Sequence, residues 1–140
     1  MVSNICQHLI DKPWSSYRDI NLRKVPQADG IYTIGVKRRN KEVKYLYAGH
    51  SKHLRTRLCQ HRHQNLRVDN FLKKELKKEG GKGLRMKWVR NKNSKRKEGV
   101  YIDCMEKKLG YRLKYNIKRG NKRFPNRKEE NFCGIFPMVF

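Results

Sequence analysis

Residues 29–63 set two β-prone runs and a helix-forming run in immediate succession, and that order leaves few folds open. Ile31, Tyr32, Thr33 and Ile34 favour a strand, as do Val43, Tyr45, Leu46 and Tyr47, with turn-prone polar residues between them. A hairpin is the simplest arrangement. Gly49 breaks the second strand, and Ser51 can cap a helix that begins near Lys52. On that helix Leu54, Leu58 and His61 recur at four- and three-residue steps, so the face that carries them packs on the sheet, with Arg57 among them. Taken singly, Tyr32 and Tyr47 read as core aromatics and Arg57 as a solvated cation. The ordered set is harder to reduce to those roles.

The rest of the chain supplies what such a unit needs to close. Val68-Asp69-Asn70 offers a cap for a second helix over residues 71–78, with Phe71, Leu72 and Leu76 on its buried side and Gly80-Gly81 ending it. Residues 84–90 largely alternate apolar and basic side chains, which predicts a third strand with one solvated, positive face. A polar, basic loop follows over residues 91–97. Residues 98–113 predict the longest helix, with Ile102, Met105, Leu109 and Leu113 on one face. Glu106 sits at the shoulder of that face and Asp103 points away from it, whereas Glu98 lies nearer the stripe but at the frayed helix start. A carboxylate beside a core face, in so basic a chain, is either half of an ion pair or a metal ligand at the edge of a cleft. Upstream, Ile5, Leu9 and Ile10 predict a short helix ended by Pro13, and Trp14, Tyr17 and Ile20 cover part of the core. The expected class is α+β: a three-stranded, mainly antiparallel sheet flanked by helices. Residues 1–25 form a lead-in, 26–118 the domain, and 119–140 an extension whose apolar end either packs back or meets a partner.

With 36 Lys and Arg against 12 Asp and Glu, the formal net charge is +24, and a polyanion is the expected partner. Nucleic acid comes first, DNA with RNA not excluded. No apolar run is long enough for a transmembrane helix and no helix has a membrane-seeking face, so a membrane is not expected. Without a secretory signal the chain is expected inside the cell, and Cys6, Cys59, Cys104 and Cys133 as reduced thiols. None of these lies in a C-x-x-C pair. His50, His53, His61 and His63 lack zinc-ligand spacing, so phosphate-facing or packing roles are preferred for them. Candidate phosphate contacts are Lys37, Arg38, Arg39 and Lys41 at the hairpin tip, and Lys92, Lys95 and Arg96 in the loop before the last helix. On composition alone the chain reads as a non-catalytic nucleic-acid-binding module, with a structural RNA-binding protein as a further option.

Gly30-Ile31-Tyr32 followed by Tyr47-Ala48-Gly49 resembles the paired motif of the GIY-YIG nuclease family, with Ala48 in place of the usual branched aliphatic. Arg57, eight residues after Gly49, and His61, twelve after it, are similar to that family's helix. Glu106 with Leu109, Leu113 and Tyr115-Asn116-Ile117 is similar to its closing segment. The chain departs from the pattern in a longer gap between the tripeptides, in a ten-residue interval from Glu106 to Asn116, and in lacking a proline before Asn116. The resemblance covers residues 26–118. It implies an endonuclease that hydrolyses DNA phosphodiester bonds with a single Mg²⁺ or Mn²⁺ on Glu106. Tyr32, Tyr47, Arg57 and His61 are then catalytic, and Gly30, Gly49 and Asn116 structural.

The residue types suit that chemistry. Hydrolysis needs a deprotonated water, a neutralised phosphate and a stabilised leaving oxygen. A guanidinium such as Arg57 can meet phosphate oxygens bidentately. One carboxylate suits one hard cation that keeps several waters. Tyr32 or Tyr47 serves as base if metal or cations depress its phenol pKa, and His61 is an alternative base or orients a tyrosine. One site cuts one strand at a time, so double-strand cleavage implies a dimer or a partner protein.

Overall fold

A seven-residue strand, Gly30–Val36, buried along its whole length, holds the rest of the chain on its two faces. The computed structural model describes residues 4–39, 42–62, 64 and 66–116. Its elements run α1 (Gln7–Asp11), β1 (Ser15–Ser16), α2 (Asp19–Leu22), β2 (Gly30–Val36), β3 (Lys44–Ser51), α3 (Leu54–Gln60), α4 (Arg67–Glu79), β4 (Leu84–Arg90) and α5 (Ser94–Leu109). The strands lie in the order β1-β4-β2-β3, antiparallel at every step, which makes the fold α+β. The sheet has four strands rather than the three expected. Ser15 and Ser16 of the lead-in pair with Met86 and Arg85 along the open edge of β4. Two serines carry no strand signal of their own, and it is the unpaired edge beside them that makes them a strand.

Side chains of β2 alternate between two core layers. Tyr32 and Ile34 join Leu22, Leu54, Leu58, Val68 and Leu72 under α2, α3 and α4. Ile31 joins Leu9, Tyr101, Cys104 and Met105 under α1 and α5. The pairing of β3 with β2 slips by one residue: Ile34 faces Tyr47 but Gly35 faces Tyr45, leaving Leu46 as a bulge. A bulge reverses the side-chain alternation. Tyr47 therefore falls in the layer of Tyr32, and Tyr45 in the opposite one.

The solvated, positive face expected for β4 is not there. Lys87 is only 2% exposed. Its Nζ donates to the carbonyls of Ile10 and Lys12 at 2.8 and 3.1 Å and to Tyr45 Oη at 2.6 Å, over the ring of Trp14. A cation is favourable at those carbonyls because they form the C-terminal end of α1. The last helix also differs from its expected span of 98–113. It starts four residues earlier, at Ser94, and stops at Gly110, which takes a left-handed conformation with φ of 81°. Lys95 and Arg96 thus stand on its first turn and not in a loop. Beyond Gly110 the chain covers the edge of β3: Tyr115 N donates to Leu46 O, and Asn116 brackets Ala48, accepting from its N at 2.8 Å and donating to its O at 2.9 Å. An exposed strand edge is thereby closed.

Packing α1 and α5 on one face brings Cys6 and Cys104, 98 residues apart, into a disulfide with a Cα–Cα distance of 5.9 Å. Cys59 is disulfide-bonded as well. These three cysteines are therefore not the reduced thiols expected; their spacing in sequence carries no trace of the packing that pairs them. Among the described residues no helix is long and apolar enough to cross a membrane. Lys41, His63, Cys133 and the extension 119–140 lie outside the described residues.

Candidate active site

Tyr32 and Gly49 are directly opposed on β2 and β3. A Cβ at position 49 would stand 2.6 Å from Tyr32 Oη and 2.8 Å from its Cζ, so glycine is what lets the phenol lie across β3. A Cβ at Gly30 would meet Val89 O at 2.4 Å and Leu54 Cδ1 at 2.6 Å, so its absence lets α3 close on the sheet. That closure delivers His61, fully buried at the end of α3, against both tyrosines. Its ring centroid lies 5.4 Å from that of Tyr32 and 5.3 Å from that of Tyr47. Tyr17 of the lead-in anchors the same helix from outside the hairpin by donating to the Leu58 carbonyl.

A hydrogen-bonded line runs inward from Tyr32. Its Oη lies 2.5 Å from His61 Nε2, and His61 Nδ1 lies 2.5 Å from Asp69 Oδ1. Asp69 Oδ2 accepts from Leu66 N at 2.9 Å and so also caps α4. Tyr47 lies beside Tyr32, with ring centroids 6.2 Å apart. Burial raises the Tyr32 phenol well above its ordinary value and pushes Tyr47 up to about 12. In both, Arg57 pulls the other way and Glu98 adds to the rise. Burial also lowers the pKa of His61, against the opposing pull of Asp69, and leaves it a neutral imidazole near pH 7. Arg57 thus sets its charge beside Tyr32, Tyr47 and His61 together.

Glu98 is the carboxylate that bears on both tyrosines. Its Oε2 lies 2.9 Å from His50 Nδ1, the residue after Gly49, and the side chain is partly buried. Glu106 is turned elsewhere, where its Oε2 accepts from Leu113 N at 2.8 Å and holds the turn that follows α5. The two glutamates are eight residues apart, roughly 12 Å along a helix axis. The structure therefore brings Tyr32, Tyr47, Arg57 and His61 together, with Glu98 beside them and Glu106 at the turn after α5. Glu98 was legible as nearer the apolar stripe but at a frayed start, and the earlier start at Ser94 puts it in the second turn instead. Asp103 is exposed. Asp69 was legible only as a cap, since nothing local joins it to His61 across the turn between α3 and α4.

A Mg²⁺ or Mn²⁺ ion would find one carboxylate here. Such an ion keeps several waters and needs only one or two carboxylates besides substrate oxygens, so Glu98 fits it. Among the described residues no group of three or more His, Cys, Asp or Glu side chains is placed to hold a metal. The histidine tract is divided, with His61 on Asp69 and His50 on Glu98. Of the candidate phosphate contacts, Lys37, Arg39, Lys92, Lys95 and Arg96 are exposed. Arg38 is exposed too, but its guanidinium is engaged by Glu75 through two bonds of 3.0 Å, which tie the end of β2 to α4. No protein-family model, no curated protein and no solved structure matches this chain.

Proposed function

We propose that this chain is a metal-dependent endonuclease of the GIY-YIG type that hydrolyses DNA phosphodiester bonds, with Glu98 in place of Glu106 as its metal-binding carboxylate. The observation that carries the reading is the convergence of Tyr32, Tyr47, Arg57, His61 and Glu98 from β2, β3, α3 and α5 in a chain of net charge +24. Glu98 would hold a Mg²⁺ ion, which would supply charge neutralisation at the phosphate and a more acidic water. Arg57 meets the phosphate oxygens as charge builds on them. With phenol pKa values raised by burial, neither tyrosine stands as a phenolate at neutral pH. Tyr32 faces His61 Nε2 and passes its proton on, with the neutral imidazole as the acceptor. The exposed lysines and arginines hold backbone phosphates without reading sequence.

A plasmid-nicking assay with Mg²⁺ tests this. Wild type should nick. Arg57→Ala and Glu98→Ala should nick on the order of 10²–10³-fold more slowly, the usual loss for one transition-state contact. DNA binding should persist, because Arg57 is one cation among 36 and Glu98→Ala removes a negative charge. Glu106→Ala and Asp103→Ala should nick like wild type. Activity in Glu98→Ala with none in Glu106→Ala returns the ligand to Glu106. A wild type that binds DNA and never nicks it leaves a non-catalytic binding module.

A further inference from the structure

Asp69 does two things with its two oxygens, and together they fix the chemistry of His61. Oδ2 accepts the Leu66 backbone N–H, and the residue sits in the first turn of α4, where the helix dipole favours an anion. Oδ1 faces His61 Nδ1. Both side chains are fully buried, so neither trades these partners for water. A carboxylate can only accept, so the nitrogen that faces it must carry the proton. The neutral imidazole is then the Nδ1–H tautomer, and Nε2 presents a lone pair to Tyr32 Oη. Tyr32 must donate to it.

We infer that Asp69 is a positioning residue that holds His61 as the Nδ1–H tautomer, so that Nε2 takes the Tyr32 proton during cleavage. The inference rests on the nuclease reading for its use, but not for the tautomer itself. As water attacks phosphorus, its proton passes to the Tyr32 oxygen. The Tyr32 O–H bond breaks and an Nε2–H bond forms. The water's oxygen bonds to phosphorus as the ester oxygen departs, and that oxygen takes a proton from solvent. The proton on His61 returns to solvent along the same line, so none is gained or lost per turnover. No free phenolate forms, and the imidazolium is paired with Asp69 while it lasts.

Asp69→Asn separates this role from capping. An asparagine can keep its carbonyl oxygen on Leu66 N and turn its NH₂ to His61 Nδ1, which forces the proton onto Nε2. The imidazole would then donate to Tyr32 and could accept nothing from it. The expected result, in the full chain, is a kcat lower by about 10³–10⁴-fold with KM for plasmid and thermal midpoint little changed. Long-range ¹H–¹⁵N NMR at neutral pH should show Nδ1 protonated in wild type and Nε2 protonated in the variant. Equal kcat in variant and wild type, or the same protonated nitrogen in both, overturns the inference. If the variant melts far below wild type, Asp69 acts chiefly as a cap, and the wild-type nitrogen shifts alone decide the tautomer. A wild type that binds and does not nick overturns the nuclease reading and the use of the proton line, while those shifts still report on Asp69.

Discussion

His61 is where burial and chemistry bear on the same atoms. Burial above all lowers its pKa from the ordinary 6.5. The folded protein therefore holds fewer protons there than the unfolded chain once the pH drops below 6.5, and stability falls as the pH falls. Denaturation midpoints taken between about pH 8 and 5 should decline more steeply for wild type than for His61→Gln, which has no group to titrate at that position. Parallel curves would show that His61 is not buried as a neutral base. Gly49 contributes at the same scale through an absence, since any side chain there would occupy the space of the Tyr32 phenol.

Among the elements, α1 is joined to the sheet through Lys87. The amine reaches from the middle of β4 to the end of α1 and to Tyr45. Lys87→Met should cost about 1–3 kcal/mol, because two carbonyls and a phenol lose their donor inside the protein. Burial lowers the Lys87 pKa from 10.5 to about 8. Between those values the unfolded chain binds more protons than the folded one, so wild-type stability rises with pH there. The advantage of wild type over Lys87→Met should therefore widen from about pH 8 to 10.5, read by urea denaturation. A gap that narrows over that range would contradict the burial of the amine.

At the scale of the whole molecule, two features set its behaviour: its charge and its crosslinks. If binding is held by backbone phosphates, affinity for DNA of arbitrary sequence should fall by about 10³-fold between roughly 50 and 200 mM salt, for about six neutralised phosphates. Affinity that ignores salt would sink that account. The Cys6–Cys104 bond closes 98 residues of separation and spans most of the described chain. Replacing both with serine should lower stability by about 2–4 kcal/mol under oxidising conditions, mainly by freeing the unfolded chain. Equal stability, or reactive thiols at both positions in the oxidised wild type, would argue against the crosslink.

The hairpin of β2 and β3, the helix after it and the face that helix packs were legible in residues 29–63, because strand and helix preferences and their two periods are properties of neighbouring residues. Gly30 and Gly49, the two tyrosines, Arg57 and His61 could be singled out only as an ordered set, through its resemblance to a known motif, and not by periodicity. The fourth strand could not, since Ser15 and Ser16 form one only beside the free edge of β4. Nor could the bulge at Leu46, which puts Tyr47 and Tyr45 on opposite faces by a slip in pairing with a different strand. The burial of Lys87, the disulfide of Cys6, the pairing of Glu98 with His50 and the partnership of Asp69 with His61 share one cause. Each joins groups from different elements, and a polar side chain's partner is set by where those elements pack, because a buried polar group must be satisfied by whatever the packing brings within reach.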